Sequence, residues 1–397
     1  MKPNEGIESW LVLLLAVMAG VSVANLYYCQ PLLNMIREDM LLSEFQVNLM
    51  PVSTQIGYAL GLLFIIPMGD LYNRKTTILT CFCALVVSLL CIAISHNAIM
   101  LLAGAFVSGF CSVAPQVFMP FVSQFARPEE KERKVGFILS GLLCGILGSR
   151  VISGYVGHLY GWRTMYFIAA ALIVVSAIIL TKAFPYVEPT FKGKFSKLMG
   201  SIVNLCKQYP LALRYSIRAG LTFGSFLSLW ACLAFRMKEA PFFKGSDVVG
   251  LLSICGIAGA LTASNIGKYI PKIGVERTSY IGSCLVIGSW ILLALAHNYY
   301  FGLILGIIII DIGMQCVQLS NQSATLKLCG EASSRMNTIF MVSYFIGGSL
   351  GTFLAGALWS LMGWQGTVLS GLSLICIAVL FSIITSKNFT IGNTQKA

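Results

Sequence analysis

The sequence predicts an all-α polytopic membrane protein, with 12 transmembrane helices arranged as two pseudo-symmetric six-helix bundles. The first observation behind this prediction is composition: 57% of the 397 residues are apolar and 11% are charged, less than half the ~25% charge of a soluble domain. The second is that the apolar residues form continuous runs of about 20, the length that crosses a ~30 Å hydrocarbon layer. The third is a repeat that relates the two halves of the chain.

The runs do not alternate apolar with polar residues, as a transmembrane strand does, so helices are predicted. The first run is too long for a cleaved leader and lacks a small-residue cleavage site, so we expect it to remain as the first helix. The predicted spans are 9–30, 45–68, 76–95, 98–121, 135–158, 164–184, 213–235, 247–270, 278–296, 299–320, 336–358 and 366–385.

Positive charges are unequally divided between the two sides of these helices. Arg150 and Arg218 lie deep inside spans; the other Lys and Arg residues lie in loops or near the ends of spans, five on one side and 20 on the side of the two termini. Because Lys and Arg are retained in the cytoplasm, both termini are predicted to be cytoplasmic. The net charge of +12 is thereby explained without a nucleic-acid partner. The five residues are Arg37, Arg163, Arg236, Lys238 and Lys244.

The two halves carry matching landmarks at a nearly constant offset. His96-Asn97 corresponds to His297-Asn298 at an offset of 201, and Gly161-Trp162 corresponds to Gly363-Trp364 at 202. We therefore predict an N-terminal bundle over residues 1–184, a cytoplasmic linker over 185–212 and a C-terminal bundle over 213–397. Duplicated bundles of this kind predict one cavity at their interface, near the bilayer midplane.

Glycines recur four residues apart in several spans, a spacing that lets helix backbones approach closely. Tight packing and helices that slide against each other are both consistent with it. The pairs are Gly57/Gly61, Gly141/Gly145, Gly220/Gly224 and Gly347/Gly351.

The loop between spans two and three combines an acid with two basic residues. Residues 67–75 read Pro-Met-Gly-Asp-Leu-Tyr-Asn-Arg-Lys, and residues 267–274 are a second-half copy. This segment resembles the signature loop of the major facilitator superfamily. The resemblance implies a gating loop formed by Asp70, Arg74 and Lys75; the alternative is a solvated turn that follows the charge asymmetry.

Further segments are similar to the bacterial drug:proton antiporter and arabinose-efflux-permease-like branch of that superfamily. They are residues 25–33, 55–61, 140–150, 161–163 and 311–315. The resemblance covers both halves and implies secondary active transport by alternating access, with efflux driven by inward proton flow. It also implies location in the inner membrane of a bacterium.

Charged residues deep in a span are costly and therefore indicate function. Asp311, near the middle of span ten, is the candidate proton-coupling residue, because a buried carboxyl can bind and release a proton; a structural Asp bonded to a neighbouring helix is the alternative. Arg150 could pair with Asp311, receive an anionic substrate or cap carbonyls. Arg218 is expected to snorkel to the interface.

Uncharged polar and aromatic residues complete the candidate cavity. They suit a neutral or amphipathic solute, although each could equally form hydrogen bonds that hold two helices together. With Arg150, the candidates are Asn25, Tyr28, Gln30, Gln55, Tyr58, Gln116, Trp230, Gln315, Gln318 and Tyr344.

The leading prediction is a monomeric transporter, not an enzyme, that moves a drug-like or sugar-like solute in exchange for protons. The partners are the solute, protons and the lipid bilayer, with no cofactor and no metal. The alternative within transport is an importer or an uncoupled facilitator. A membrane enzyme, an ATP-driven pump and a channel are disfavoured, because the sequence shows no clustered His or CxxC set, no P-loop and no filter hairpin.

Overall fold

In a computed structural model the chain is described over residues 6–185, 195–328 and 333–394, and every regular element within those ranges is helical. Twelve segments of this part are long and apolar enough to cross a membrane, which confirms the predicted fold class. The spans are Ser9–Asp39, Glu44–Gly69, Arg74–Ala93, Ala98–Phe125, Lys131–Tyr160, Trp162–Ala183, Pro210–Lys238, Ser246–Ile273, Val275–Leu295, Tyr300–Leu328, Arg335–Met362 and Trp364–Thr385.

These spans and one connector are built from the helices α1 to α16. The connector is α9, an amphipathic helix between spans six and seven that buries Ile202 and Leu205. In chain order the helices are α1 Ser9–Ala24, α2 Cys29–Asp39, α3 Glu44–Leu71, α4 Arg74–Ala93, α5 Ala98–Cys111, α6 Ala114–Phe125, α7 Lys131–Tyr160, α8 Trp162–Ala183, α9 Phe195–Gln208, α10 Pro210–Lys238, α11 Ser246–Leu252, α12 Ile257–Ile273, α13 Val275–Leu295, α14 Tyr300–Leu328, α15 Ser333–Met362 and α16 Trp364–Thr394.

Three spans are interrupted, whereas the first run was expected to be a single helix. Span one breaks between α1 and α2, span four breaks between α5 and α6, and span eight contains a 3₁₀ turn, Ser253–Gly256, between α11 and α12. Proline explains the first two breaks. Pro31 and Pro115 follow them directly, and neither residue supplies the N–H that would continue the helical hydrogen bonds.

Side chains satisfy the backbone at both proline breaks. The amide nitrogen of Asn25 donates to the carbonyls of Val21 and Ser22, at 3.1 and 3.0 Å, and so closes the last turn of α1. The hydroxyl of Ser22 donates to the carbonyl of Ser112, at 3.1 Å. This last bond ties the break in span one to the break in span four.

The chain divides into two compact units. The first comprises Met1–Gly200 together with Lys244–Ile254, and the second comprises Ser201–Phe243 together with Cys255–Ala397. Spans one to six therefore belong to the first unit, as does the first half of span eight. The domain boundaries predicted from the polar stretch, at residues 184 and 213, stay a prediction.

Both units contain the same close helix crossing at glycine. Where α7 crosses α1, a Cβ on Gly145 would lie 2.4 Å from the Cα of Gly20. Where α15 crosses α10, a Cβ on Gly347 would lie 2.1 Å from the carbonyl oxygen of Gly220. Backbones this close leave no room for a side chain, so the repeated glycine sets the packing of both duplicates.

The repeated tryptophans also occupy matching places. Trp162 begins α8, and its Nε1 donates to a carboxylate oxygen of Asp39 at 3.2 Å. Trp364 begins α16, and its Nε1 donates to the carbonyl of Leu293 at 3.0 Å. Each indole thus fastens the last span of its half to an earlier span of the same half.

Candidate functional site

Arg150 is the centre of a buried polar cluster in the first unit. Its Nε donates to Oε1 of Gln30 at 2.6 Å, and its Cζ lies 4.8 Å from the centre of the Tyr27 ring. All three residues are buried. Tyr27 lies in the break of span one and Gln30 lies just after it, so the interrupted backbone brings both groups to the guanidinium of α7. An amide oxygen and a π face therefore stabilise a charge within the membrane-spanning region.

Tyr58 and Gln116 extend this cluster to spans two and four. Their side chains are hydrogen-bonded to each other, and Tyr58 is an electrostatic neighbour of Tyr27. Spans one, two, four and five thus all contribute polar groups. The remaining predicted residues of this unit are buried as well: Asn25, which closes α1, Tyr28 and Gln55.

In the second unit, the predicted acid Asp311 lies on α14 where it packs against α12. Asp311 is 6% exposed. A Cβ on Gly259 would lie 3.2 Å from both Cβ and Oδ1 of Asp311, and 3.4 Å from Cγ of Gln315. The glycine therefore lets α12 close over the carboxyl, and a larger residue there would press on it.

Asp311 begins a polar stripe along one face of α14. Gln315, Gln318 and Gln322 follow at spacings of four, three and four residues, which keeps them on one helix face over about 16 Å. Oε1 of Gln318 accepts a hydrogen bond from the Tyr344 hydroxyl on α15, at 2.9 Å. Nε2 of Gln322 also donates to a side-chain amide oxygen on α15, at 3.0 Å. The structure thus brings together Asp311, Gln315, Gln318 and Tyr344 of the predicted set.

The predicted aromatic residues of the second unit pack in a ring cluster around α10 and α15. Tyr344 stacks on Phe223, with ring centroids 3.8 Å apart and planes 13° from parallel. Trp230 lies two turns beyond Phe223 on α10 and contacts Phe226, at 6.5 Å between centroids. These rings supply an apolar wall beside the polar stripe.

The loop between α3 and α4 holds the predicted gating residues. The side chain of Asp70 lies outside the described residues. Arg74 begins α4 and donates to Oε1 of Gln124 at 3.0 Å, while Nζ of Lys75 donates to the carbonyl of Thr181 at 2.7 Å. These bonds fasten span three to spans four and six, and the gating role stays a prediction.

Arg218 does not snorkel, contrary to the expectation. Its side chain is 2% exposed, and it donates to Oε2 of Glu276 at 2.6 Å and to Oδ1 of Asn321 at 2.8 and 2.6 Å. Arg214, one turn earlier, lies 3.5 Å from the other Glu276 oxygen and donates to the Ser382 carbonyl at 2.7 Å. Spans seven, nine, ten and twelve meet at these charges. A buried guanidinium is tolerated here because it is paired and hydrogen-bonded.

Residues 12–352 match the family profile described as the Major Facilitator Superfamily. The chain belongs to this superfamily. Over 379 residues it is 32% identical to the uncharacterized transporter YgaY of Escherichia coli O157:H7, covering 96% of each chain. Over 354 residues it is 27% identical to the probable transporter SCO4007 of Streptomyces coelicolor, covering 89% of this chain and 82% of the relative.

Solved structures of the same superfamily fold superimpose on nearly the whole chain. A bacterial homolog of the human lysosomal transporter Spinster gives a TM-score of 0.76 at 16% identity, covering 96% of this chain and 97% of that one. The nucleoside transporter NupG gives 0.72 at 15% identity, covering 96% and 99%. Likeness at this identity establishes the fold, and the named relatives are transporters. The protein is therefore a membrane transporter of the major facilitator type.

Sequence reasoning misses three polar residues of this major facilitator protein: Tyr27, Gln322 and Glu276. The sequence feature that could have identified Tyr27 is Pro31, because a proline inside an apolar run predicts a helix break just before it. Gln322 could have been identified from its spacing to Asp311, which places both residues on one face of a helix. For Glu276 the sequence offers only a carboxylate at the start of a span, which does not identify its partner.

Proposed function

We propose that this transporter expels a neutral or amphipathic organic solute in exchange for protons, by alternating access, with Asp311 as the proton-binding group. The observation that carries the proposal is the buried carboxyl at the start of the α14 stripe. A carboxyl within a membrane span is costly when ionised and much less so when protonated. Its charge state is therefore tied to the access of water, which is what coupling to a proton gradient requires.

The solute class follows from the polar groups near the midplane. The first unit gathers amides, phenols and one guanidinium, and the second gathers amides, a phenol and one carboxyl. Such groups form hydrogen bonds with neutral solutes, and the rings provide flat apolar surfaces. The panel of test solutes contains drug-like compounds, sugar-like compounds and nucleosides. Nucleosides are included because they combine a flat base with neutral hydroxyls. A second reason is that NupG, a nucleoside transporter, shares the fold.

The proposed location is the inner membrane of a bacterium, with both termini in the cytoplasm. The support is the division of basic residues, 20 on the side of the termini against five on the other. Two contacts support the grouping of span ends that this orientation requires. Nζ of Lys134 donates to the carbonyl of Ile7 at 2.6 Å, on the side of the amino terminus, whereas Arg163 pairs with Asp39 on the opposite side.

The experiment uses the purified protein in proteoliposomes. A thermal-shift screen of the panel identifies a solute, and labelled flux is then measured with and without an imposed pH gradient. Asp311→Asn is expected to abolish gradient-driven flux and to leave solute exchange partly intact, because Asn fills the same volume but cannot take up a proton. Glu132→Gln is the matched control, since Glu132 is an exposed acid near the start of α7, and it should retain both activities.

Unchanged gradient-driven flux in Asp311→Asn would remove the coupling role of this residue. Wild-type flux that ignores the gradient would identify an uncoupled facilitator. Accumulation of solute together with protons on the same side would identify an importer. Each of the last two results would replace the proposed direction or coupling while leaving the transporter fold in place.

A further inference from the structure

The first half of span eight lies closely packed against span five. We call Lys244–Ile254 the docked segment; it belongs to the first unit, and its chain continues into α12. A Cβ on Gly250 would lie 2.5 Å from the carbonyl oxygen of Arg150, and a Cβ on Gly154 would lie 2.4 Å from that of Ser246. The docked segment therefore meets α7 backbone to backbone at two successive levels.

Serine hydroxyls add hydrogen bonds along the same face of α7. Ser246 donates to the carbonyl of Gly154 at 2.9 Å, and Ser253 donates to the carbonyl of Leu147 at 3.2 Å. The 3₁₀ turn Ser253–Gly256 follows at once. The docked segment is thus held by glycine contacts and a few hydrogen bonds, and it ends at a break in its own helix, where bending is easiest.

A histidine and an aspartate stand at the open end of this contact. Nδ1 of His158 lies 3.8 Å from Oδ1 of Asp247, with side-chain exposures of 55% and 28%. Gly245 packs beside both, since a Cβ there would lie 2.9 Å from Oδ1 of Asp247 and 3.4 Å from Nδ1 of His158. Water therefore reaches the pair, while the contacts deeper in the membrane hold the two backbones that carry these side chains close together.

The other charged groups at this end have partners of their own or face solvent. Arg37 pairs with Glu44 at 2.7 Å, Arg163 pairs with Asp39, and Lys244 is exposed. His96 is an electrostatic neighbour of Asp39. The groups from the elements around the end of α7 are Arg37, Glu38 and Asp39 of α2, Glu44 of α3, His96 before α5, Arg163 of α8, and Lys244 and Asp247 of the docked segment.

We propose that His158 and Asp247 form a proton-sensitive clasp that sets how long the docked segment stays on α7. A protonated imidazole faces the carboxylate as an ion pair, and a neutral imidazole does not. Because acid favours the protonated imidazole, the docked segment is held more tightly at pH 5.5 than at pH 8. Under the orientation proposed above, this end faces the outside, so external acid prolongs the closed contact of spans five and eight.

The test is hydrogen–deuterium exchange of the full chain in nanodiscs between pH 5.5 and pH 8, with each rate divided by the intrinsic chemical rate at that pH. Peptides from the docked segment are expected to be about twofold to fivefold more protected at pH 5.5, the fold-change of an exposed ion pair. His158→Gln and Asp247→Asn should each remove this ratio. His96→Gln is the matched control, a histidine at the same end that should leave the ratio unchanged.

Gly250→Leu calibrates the measurement. It should lower the protection of the docked segment at every pH, because its Cβ alone would meet the Arg150 carbonyl. A pH ratio that persists in both His158→Gln and Asp247→Asn, or that is absent from the wild type, would overturn the clasp. The exchange experiment needs neither solute nor gradient, so its failure is distinguishable from failure of the proposed transport.

Discussion

Glu276 balances two buried arginines, so Glu276→Gln is expected to destabilise the second unit. The substitution keeps the shape of the side chain and removes its charge. Arg218 and Arg214, one turn apart on α10, would then lose the carboxylate that both contact, at 2.6 and 3.5 Å. Two like charges would remain close together where little water reaches them.

The size of the effect follows from the exposure of the partners. Removing one member of a fully buried pair costs about 3–5 kcal/mol, because the other charge is left uncompensated. Glu276 is 38% exposed, against 2% for Arg218, so solvent screening reduces the expected loss to about 2 kcal/mol. For a unit of this length, that corresponds to a fall in melting temperature of about 4–8 °C.

The assay is thermal unfolding of the purified protein, followed by tryptophan fluorescence. Glu239→Gln is the control, because Glu239 is 53% exposed and its partner Arg236 also donates to Ala240 and Asn298; a shift below about 2 °C is expected there. Equal shifts in the two variants would refute the reasoning. Arg214→Gln added to Glu276→Gln should recover part of the loss, because it removes one of the uncompensated charges.

Two further predictions concern helix packing and orientation. Gly347→Leu is expected to reduce the yield of folded protein several-fold in size-exclusion chromatography, because its Cβ alone would lie 2.1 Å from the Gly220 carbonyl. Gly288→Leu should behave as wild type, since a Cβ there would meet no other part of the protein within 4 Å beyond its own helix backbone. Similar yields would contradict the role given to the close crossing. A reporter that is active only in the cytoplasm should be active when it is fused after Ala397. Activity of a reporter that works only in the periplasm would reverse the proposed orientation.

The span number could be predicted from the sequence because each feature behind it is local. An apolar run of about 20 residues satisfies its own backbone hydrogen bonds in lipid only as a helix. The repeat could be predicted as well, and Gly145 and Gly347 do occupy equivalent close crossings. Asp311 could be identified because an acid inside an apolar run is visible in the sequence without knowledge of its contacts.

The partners of charged side chains could not be predicted in this way. Arg218 and Glu276 are 58 residues apart, and their pairing depends on two helices reaching the same depth side by side. The membership of Lys244–Ile254 in the first unit is equally non-local, because sequence order assigns this segment to the second half. Local patterns therefore gave the elements and their polarity, whereas the networks between helices required the packed structure.

Spans one and four are broken, whereas their counterparts in the second half, α10 and α14, are continuous helices. A broken helix has a joint at which it can bend, while a continuous helix moves as a rod. The duplicates therefore bend at different places: the first half has its joints in spans one and four, whereas the second half has its joint in span eight and keeps α14, which carries Asp311, as a continuous helix. A hybrid made from two copies of the same half would therefore have joints at only one of these two sets of positions.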